Sequence, residues 1–342
     1  GEYYVVSSCL DGRPMLRNGS SGDWIGTFLG HKGAVWCSRI NTDASIVVTG
    51  SADYTARVWS AITGEERTSF THAGILKTVD ISECSTRMLA GGQEKKLVLH
   101  DLGEAGGRDI LTIDHPGAIR QAFFVNNDRD VITLGTEGQM FVWDSRSKKC
   151  VQELEGSTRS AKAMSLDTTG AYITAACADS VVVYAATNYR VERTVPVPST
   201  VSCAAFHSPL EGEPAIVTGG TDNWVRIFDY ATGKETELHK GHHGPVHCVG
   251  FSPDSACFAS GSDDGTLRLY QTVSKSYGLW KLGPPPPTTP EASPWGTSDV
   301  PSSSGTTPAR KYSNSSARSG KGGNRKGRSR GGTSKSTGDV AK

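Results

Sequence analysis

Long apolar runs are missing from this sequence, and so is any helix-period apolar stretch of useful length. The longest apolar stretches have only a few residues, too short to span a bilayer, so we expect no membrane contact. Gly1–Tyr4 has neither the basic start nor the apolar core of a signal peptide. A phosphate-cradling loop, a serine-nucleophile motif and metal-ligand spacing are also absent. These absences argue against an enzyme, a cofactor, a metal site and a small-molecule substrate.

No Cys-x-x-Cys pair occurs among the eight cysteines, which are spread over the chain up to Cys257. Most lie in apolar strand contexts, such as Val35-Trp36-Cys37 and Val246-His247-Cys248. We therefore predict reduced, buried cysteines that pack as small hydrophobes in a cytoplasmic or nuclear protein. A zinc site or a disulfide framework is the alternative interpretation.

What the sequence does contain is glycine and turns: 40 glycines in 342 residues, with 36% hydrophobic content, favour a β-rich globular body. The stretch from Gly241 to Tyr270 reads by alternation as three short strands broken by Ser-Pro-Asp-Ser and Asp-Asp-Gly turns. A strand that ends this kind of unit recurs seven times, at intervals of 41 to 44 residues. The closing positions are Arg17, Trp59, His100, Trp143, Tyr184, Phe228 and Tyr270.

A repeat of about 42 residues with four short strands per copy is the spacing of a WD-type β-propeller. We predict an all-β, seven-bladed WD-repeat β-propeller over residues 1–282. Its first blade is expected to be incomplete, because the histidine and inner strand of that copy would precede Gly1. Ser276–Leu282 resembles the outer strands and is expected to finish the seventh blade. A chain extended upstream by about 35 residues is expected to be more stable, since a propeller closes on itself.

Histidines and acids recur at a second fixed spacing of 22 positions, and each histidine begins a His-x-Gly-x-apolar run. In WD geometry the histidine and the acid lie at the same end of one blade. The imidazole can therefore donate to the carboxylate, which satisfies buried polar groups. We expect Thr49 and Trp59 to continue this bond in one blade and Ser260 in the last. The predicted structural pairs are His31 with Asp53, His72 with Glu94, His115 with Glu137, and His242 with Asp264.

A catalytic interpretation of these pairs is weak, because equivalent pairs spread around a ring do not converge on one substrate. The fifth copy has Gly156-Ser157 and Ala178 where others have histidine and acid, so blades five and six should be least regular. That irregularity indicates either sequence drift or a surface shaped by a partner.

From Gly283 to Lys342 the sequence becomes rich in Pro, Ser, Gly, Lys and Arg, with very little apolar content. We predict a disordered tail, because the segment cannot bury enough surface to offset chain entropy. Residues 310–342 carry ten Lys or Arg and one acid, whereas residues 1–309 carry 26 basic and 34 acidic residues. Candidate contacts to non-specific RNA are Arg318, Lys321, Arg325, Lys326, Arg328 and Arg330. A solvated basic tail without RNA remains the alternative.

Some stretches are more specific than a WD repeat requires. Asp11–Arg17, Gly22–Trp36, Gly261–Val273 and Tyr277–Lys281 resemble the family of serine/threonine kinase receptor-associated proteins. The similarity spans about residues 3 to 281. Subunit i of eukaryotic translation initiation factor three is similar in pattern and competes with this assignment.

The resemblance implies a cytoplasmic scaffold attached to the survival of motor neuron complex, which loads Sm proteins onto spliceosomal RNA. The implied partners are therefore Sm proteins or subunits of the SMN and Gemin type, with splicing as the process served. Family members also act as adaptors that restrain receptor-kinase signalling of the TGF-beta type. The basic tail departs from the acidic C-terminus of the family, which puts roles of that end in doubt.

A scaffold would use the surface at which residues following each Gly-His emerge. The candidate partner surface comprises Lys32, Trp36, Tyr54, Trp224, His243 and His247, with exposed aromatics as the expected hot spots. For Trp36, burial in the core is an equally good interpretation.

Overall fold

Seven antiparallel sheets make up the part of the chain that the computed structural model describes, residues 3–103, 108–154, 161–208 and 213–272. Within those ranges every regular element is a strand, and no helix is long and apolar enough to cross a membrane. The predicted all-β, seven-bladed WD-repeat propeller is thus confirmed. The predicted domain boundary after residue 282, the strand at Ser276–Leu282 and the basic tail lie outside the described residues.

Five sheets have four strands, and the first and last have three within the described ranges. We number the sheets as blades 1 to 7 in chain order, each formed by consecutive strands. Blades 1 to 4 contain β1 Tyr4–Ser7, β2 Met15–Asn18, β3 Trp24–Thr27; β4 Val35–Ile40, β5 Ile46–Ser51, β6 Thr55–Ser60, β7 Glu66–Thr71; β8 Leu76–Ile81, β9 Arg87–Gly92, β10 Lys96–Asp101, β11 Arg108–Asp114; and β12 Ile119–Val125, β13 Asp130–Gly135, β14 Met140–Asp144, β15 Cys150–Glu153. Blades 5 to 7 contain β16 Ala163–Leu166, β17 Tyr172–Ala176, β18 Ser180–Ala185, β19 Val191–Pro196; β20 Val201–His207, β21 Ala215–Gly220, β22 Trp224–Asp229, β23 Glu235–Lys240; and β24 Val246–Phe251, β25 Cys257–Ser262, β26 Leu267–Gln271.

Burial follows the position of a strand within its blade. In blade 4 every residue of β13 is buried, whereas all four residues of the outer strand β15 are exposed. The central strands therefore read as continuous apolar runs because both of their faces pack against neighbouring blades. Outer strands such as β7, β11 and β23 are mostly exposed and carry charged side chains, which disfavours edge pairing at the rim.

Polar side chains of the inner strands also bridge neighbouring blades. The Thr78 hydroxyl, buried in β8, donates to the Ala122 carbonyl at 3.1 Å and accepts from the Ala122 N–H at 2.9 Å. Ser202 Oγ donates to the Val246 carbonyl of the next blade at 2.7 Å. These bonds satisfy buried backbone groups where two sheets meet.

A register shift recurs near the start of the inner strands. In blades 2, 3, 4, 6 and 7 the pairing with the second strand skips one residue, which forms a β-bulge. In blade 5 the pairing runs from Ala163 without such a skip. A bulge turns its extra side chain out of the regular alternation. The bulged residues are Trp36, Lys77, Arg120, Ser202 and His247.

The cysteines are only partly as predicted. All eight are free, but Cys84, Cys150 and Cys248 are exposed, so burial was wrong for these three. Cys84 lies in a turn and Cys150 in an outer strand, and such positions leave a thiol open to solvent whatever its apolar neighbours in sequence.

Candidate functional site

Two kinds of connection meet at one end of each blade. One joins the outer strand of a blade to the inner strand of the next, and the other is the turn between second and third strands. In blade 2 the Lys32 N–H of the first connection donates to Asp53 Oδ2 of the second at 2.9 Å. We call this end the top face.

Blade 2 contains the full predicted chain of hydrogen bonds. His31 Nδ1 lies 2.9 Å from Asp53 Oδ2, and His31 Nε2 lies 2.6 Å from Thr49 Oγ1. Trp59 Nε1 donates to the same hydroxyl at 2.9 Å. A neutral imidazole with its proton on Nδ1 fits this order, because Thr49 can then donate to Nε2 while it accepts from Trp59. The bonds tie together β5, β6, the turn between them and the connection that precedes β4.

Charge supports this arrangement. Burial lowers the pKa of His31, and the attraction of Asp53 opposes that effect without reversing it. Burial alone would raise the pKa of the Asp53 carboxyl, but hydrogen bonds from Thr55, the Lys32 N–H and His31 hold it well below its usual range. At neutral pH the pair is therefore an imidazole that donates to a carboxylate.

Blade 7 repeats the pair without the tryptophan. His242 Nδ1 lies 3.0 Å from Asp264 Oδ2 and His242 Nε2 lies 2.7 Å from Ser260 Oγ, as predicted. The His243 N–H donates to Asp264 Oδ2 at 2.9 Å. Hydrogen bonds from Thr266 and His243 outweigh burial and lower the pKa of Asp264.

Blade 3 forms its pair differently. His72 Nδ1 lies 3.0 Å from Glu94 Oε1, and the Ala73 N–H donates to Glu94 Oε2 at 3.2 Å. The other nitrogen, His72 Nε2, lies 3.3 Å from His100 Nε2. His100 Nδ1 lies in turn 2.7 Å from Asp109 Oδ1. Two imidazoles thus stand in line between two carboxylates.

The line exists because two positions of the repeat have changed. Ala90 stands where blade 2 has Thr49, and His100 stands where blade 2 has Trp59. His100 is buried and stacks on Phe70 with ring centroids 4.1 Å apart. Burial and the neighbouring His72 lower the pKa of His100 to about 4.

The fourth predicted pair, His115 with Glu137, is not formed among the described residues. His115 Nδ1 donates to the Gly117 carbonyl at 2.7 Å, and Glu137 is exposed. The other hydrogen bonds of the series are present in blade 4. His115 Nε2 lies 3.0 Å from Thr133 Oγ1, and Trp143 Nε1 donates to that hydroxyl. The prediction was wrong for the acid alone.

Proline explains the difference. In the three formed pairs the residue after the histidine donates its backbone N–H to the acid, from Lys32, Ala73 and His243. In blade 4 that residue is Pro116, which has no N–H. Glu137 therefore lacks one of its two donors. The proline that follows His115 is visible in the sequence and could have predicted this.

Blades 5 and 6 depart furthest, as expected. In blade 6 Thr200 takes the histidine position and its hydroxyl donates to Asp222 at 3.0 Å across the same 22-residue spacing. Asp222 also pairs with the buried Arg226. Sequence reasoning missed this pair because it searched for histidine alone. In blade 5 Ala178 removes the acid, and the Thr174 hydroxyl has no hydrogen-bond partner within the described ranges.

The candidate partner surface is largely accessible. Lys32 and His243 are exposed, and Tyr54 is 48% exposed in the turn beside Asp53. Trp36 is 45% exposed, which decides against burial in the core, and Lys77 Nζ lies 3.0 Å from its ring centroid.

The other two aromatic positions differ from each other. Trp224 is half-buried under Arg226 and Lys240, which lie 5.1 and 4.3 Å from its ring. His247 is exposed and pairs with Asp263 at 2.9 Å. Within the ranges that the structure describes, no cluster of three or more His, Cys, Asp or Glu residues could hold a metal ion. The six basic tail residues, from Arg318 to Arg330, lie outside those ranges.

Repeated blades with a histidine–carboxylate pair across one turn define a WD-repeat β-propeller. Residues 22–60 and 233–271 match the family described as WD domain, G-beta repeat. The chain is 40% identical over 280 residues to the serine-threonine kinase receptor-associated protein of Mus musculus, covering 82% of this chain and 79% of that protein. The protein of that name in Dictyostelium discoideum is 41% identical over 269 residues, covering 78% and 90%.

A more distant relative is eukaryotic translation initiation factor 3 subunit I of Nematostella vectensis, 24% identical over 286 residues, with 78% of this chain and 88% of that protein covered. The chain belongs to the family of serine-threonine kinase receptor-associated proteins.

Proposed function

We propose that this chain is a non-catalytic scaffold of the survival of motor neuron complex, where it serves the assembly of spliceosomal ribonucleoproteins and mRNA splicing. The observation that carries the proposal is the identity of about 40% to serine-threonine kinase receptor-associated proteins over most of the chain. The proposed partners are SMN or Gemin-type subunits and Sm proteins. The proposed place of action is the cytoplasm, and the nucleus where the complex is found there.

The use of the histidines favours a scaffold over an enzyme. Each imidazole is engaged on both nitrogens within its own blade, as in His31 and His242. The formed pairs lie at separate turns, in blades 2, 3 and 7. A general base needs a free nitrogen within reach of a substrate proton, so these histidines serve the fold.

Blade 2 supplies the best candidate contact point. Tyr54 and Trp36 are exposed aromatic side chains at its top, and exposed aromatics on a rigid support are the usual anchors of protein interfaces. The turn that Asp53 closes holds the Tyr54 backbone at a φ of 69°.

Affinity purification of the full chain followed by mass spectrometry tests this proposal. We expect Sm proteins and SMN-complex subunits to be recovered with the unaltered chain. The variant Trp36→Ala with Tyr54→Ala should recover at least about tenfold less, because truncation of a hot-spot side chain costs about 2 kcal/mol or more. Ile62→Ala is the matched control, since Ile62 is 81% exposed in the connection between β6 and β7, away from the top face.

The partners recovered also decide between related functions. Recovery of initiation-factor subunits in place of Sm proteins would select a role like that of subunit i, which the Nematostella relative favours. Recovery of receptor kinases would select a signalling adaptor, a role that the name of the more similar relatives suggests.

A second candidate function, RNA binding through the tail, rests on the charge of residues 310–342, with ten Lys or Arg against one acid. Flexible cations track phosphates without sequence preference, and their binding weakens steeply with salt. Deletion of residues 310–342 should abolish RNA retention at low salt and leave partner recovery unchanged. Absence of RNA binding by the full chain at low salt would dispose of this function.

A further inference from the structure

Five bulged residues occupy equivalent positions at the top of the inner strands: Trp36, Lys77, Arg120, Ser202 and His247. Further down, the same strands line a cavity of about 300 Å³ that Arg39, Asp80 and Phe123 share with residues of blades 5 to 7. The inner strands of a propeller surround its central channel. We call the ring formed by the five bulged residues the channel mouth.

Contacts link the mouth from blade to blade. Lys77 Nζ of blade 3 lies over the Trp36 ring of blade 2. The Arg120 guanidinium of blade 4 donates to the carbonyl of Lys162, the residue before β16 in blade 5, at 2.8 Å. The Lys162 ammonium donates onward to the Val201 carbonyl of blade 6 at 2.9 Å. Three cations thus follow one another along adjacent blades.

Within the described part of the chain these cations have no carboxylate partner. Among the described residues, Lys77, Arg120 and Lys162 form no salt bridge. Burial and the nearby Arg120 both lower the pKa of the Lys77 ammonium. Like charges held side by side repel, and an anion that enters between them removes that repulsion. The mouth is therefore a preformed receptor for negative charge on a chain whose residues 1–309 are acidic.

We propose that the channel mouth binds an acidic segment of a protein partner, whose Asp or Glu carboxylates pair with Lys77 and Arg120 of the mouth and with the ammonium of the neighbouring Lys162. The inference rests on the proposed scaffold function and names the chemistry of the partner at that surface. The indole ring of Trp36 adds an apolar contact surface beside Lys77.

The surroundings favour a peptide over RNA. Asp263 and Glu137 are exposed on top-face turns, and both would repel a continuous phosphate backbone. Base stacking needs an open aromatic face, whereas Lys77 Nζ lies over one face of the Trp36 ring. A short acidic segment can place its carboxylates on the three cations and avoid the acids.

Fluorescence anisotropy with the full chain tests the proposal, with a fluorescein-labelled oligoglutamate peptide as the probe. We expect saturable binding that weakens with salt, and a Kd raised about fivefold or more by Lys77→Gln with Arg120→Gln, since each lost pair is worth about 0.5 kcal/mol or more. Arg146→Gln with Lys149→Gln is the matched control. Both residues are exposed in the connection between β14 and β15, and the change in net charge is the same.

Arg120 also holds the Lys162 carbonyl, so thermal midpoints of the variants are measured alongside. Lys77→Gln alone removes no side-chain hydrogen bond to a described residue, and it should still raise the Kd about twofold or more. Equal weakening by the mouth and control variants would overturn the proposal, as would no binding by the unaltered chain. Tighter binding of an oligouridylate at the same site would overturn it in favour of RNA.

Partner recovery separates this inference from the proposed function. If Sm and SMN-complex proteins are recovered but the peptide does not bind, the scaffold function stands and the channel-mouth proposal fails. If the peptide binds at the mouth while those partners are not recovered, the assignment to that complex fails and the acidic-segment site stands.

Discussion

The residue after each paired histidine gives its backbone N–H to the carboxylate across the turn. Lys32 and His243 do so at 2.9 Å in blades 2 and 7, and Pro116 cannot. Two donors, one from the ring and one from the backbone, offset the cost of burying part of a carboxylate. The acid is consequently part of the fold where both donors exist and a surface residue where one is missing.

Removal of the acid should therefore have unequal effects in two blades. We expect Asp53→Ala to lower the free energy of unfolding by about 1–3 kcal/mol, because it leaves the buried His31 Nδ1–H and a backbone N–H unpaired. Glu137→Ala should change it by about 0.5 kcal/mol or less, as for an ordinary surface residue. Thermal and urea unfolding check both values, and comparable losses in the two variants would contradict this account.

Most of the individual residues in these hydrogen-bonded pairs could be predicted from the sequence. The 22-residue spacing located His31 and Asp53, and Thr49 and Trp59 were correctly expected to extend the bond. Pro116 could also have been read, because the lack of an N–H is a property of the residue itself. Side-chain packing could not be read, so exposure of Trp36 stayed open until the structure showed Lys77 over its ring.

Among the elements, β10 of blade 3 is unusual because it buries a histidine where blades 2, 4, 5 and 6 bury Trp59, Trp143, Tyr184 and Phe228. His100 faces His72 at 3.3 Å and Asp109 at 2.7 Å, while Glu94 holds the far side of His72. The pKa of His100 is lowered to about 4, mainly by burial and then by His72. Blade 3 therefore contains a titratable group that the folded chain keeps neutral.

Stability should fall as the pH drops from about 6.5 to 4. In that window the unfolded chain binds a proton at His100 that the folded chain refuses, so folding loses free energy on the order of 2 kcal/mol. His100→Tyr, which introduces the aromatic present in blades 5 and 7, should flatten this part of the profile. His31 and His115, whose pKa values burial also lowers, should leave a residual slope of the same sign.

Urea unfolding at several pH values measures the effect. His243→Tyr is the control, because His243 is exposed and its substitution should leave the slope unchanged. An identical slope in His100→Tyr and in the unaltered chain would rule out His100 as its source.

The elements themselves were predictable, but their irregularities were not. Apolar alternation and turns indicated strands in all seven copies. The bulges at Lys77 and Arg120 could not be recognised in the sequence, because a bulge depends on how two strands pair and not on the residue type. For the same reason sequence analysis named Trp36 and His247 as surface candidates and missed the two cations between them in the ring.

For the whole molecule, the joints between blades matter more than any one sheet. Each blade can bury its faces only against its neighbours, so coupling between blades sets the cooperativity of the ring. Thr78 forms such a joint, since its single buried hydroxyl satisfies both the N–H and the carbonyl of Ala122 in the next blade.

Thr78→Val should weaken the joint between blades 3 and 4. The replacement leaves two buried backbone groups of Ala122 unpaired, with an expected loss of about 1–3 kcal/mol. Hydrogen exchange should report faster exchange in β12 of blade 4, although the substitution is in β8 of blade 3. Thr71→Val, at an exposed position of β7, is the control, and equal exchange in β12 for both variants would show that this bond does not couple the blades.

The seven-fold repeat was visible in the sequence because the period recurs in every copy. Contacts between copies were not, since Thr78 and Ala122 lie 44 positions apart and nothing in either residue marks the other.

The backbone anchor after each histidine has a practical consequence. Lys32, Ala73 and His243 hold the carboxylate through main-chain N–H groups alone, so the fold makes no demand on their side chains beyond the exclusion of proline. These positions are natural sites for randomisation in a display library, where new binding specificities could be selected on an unchanged framework.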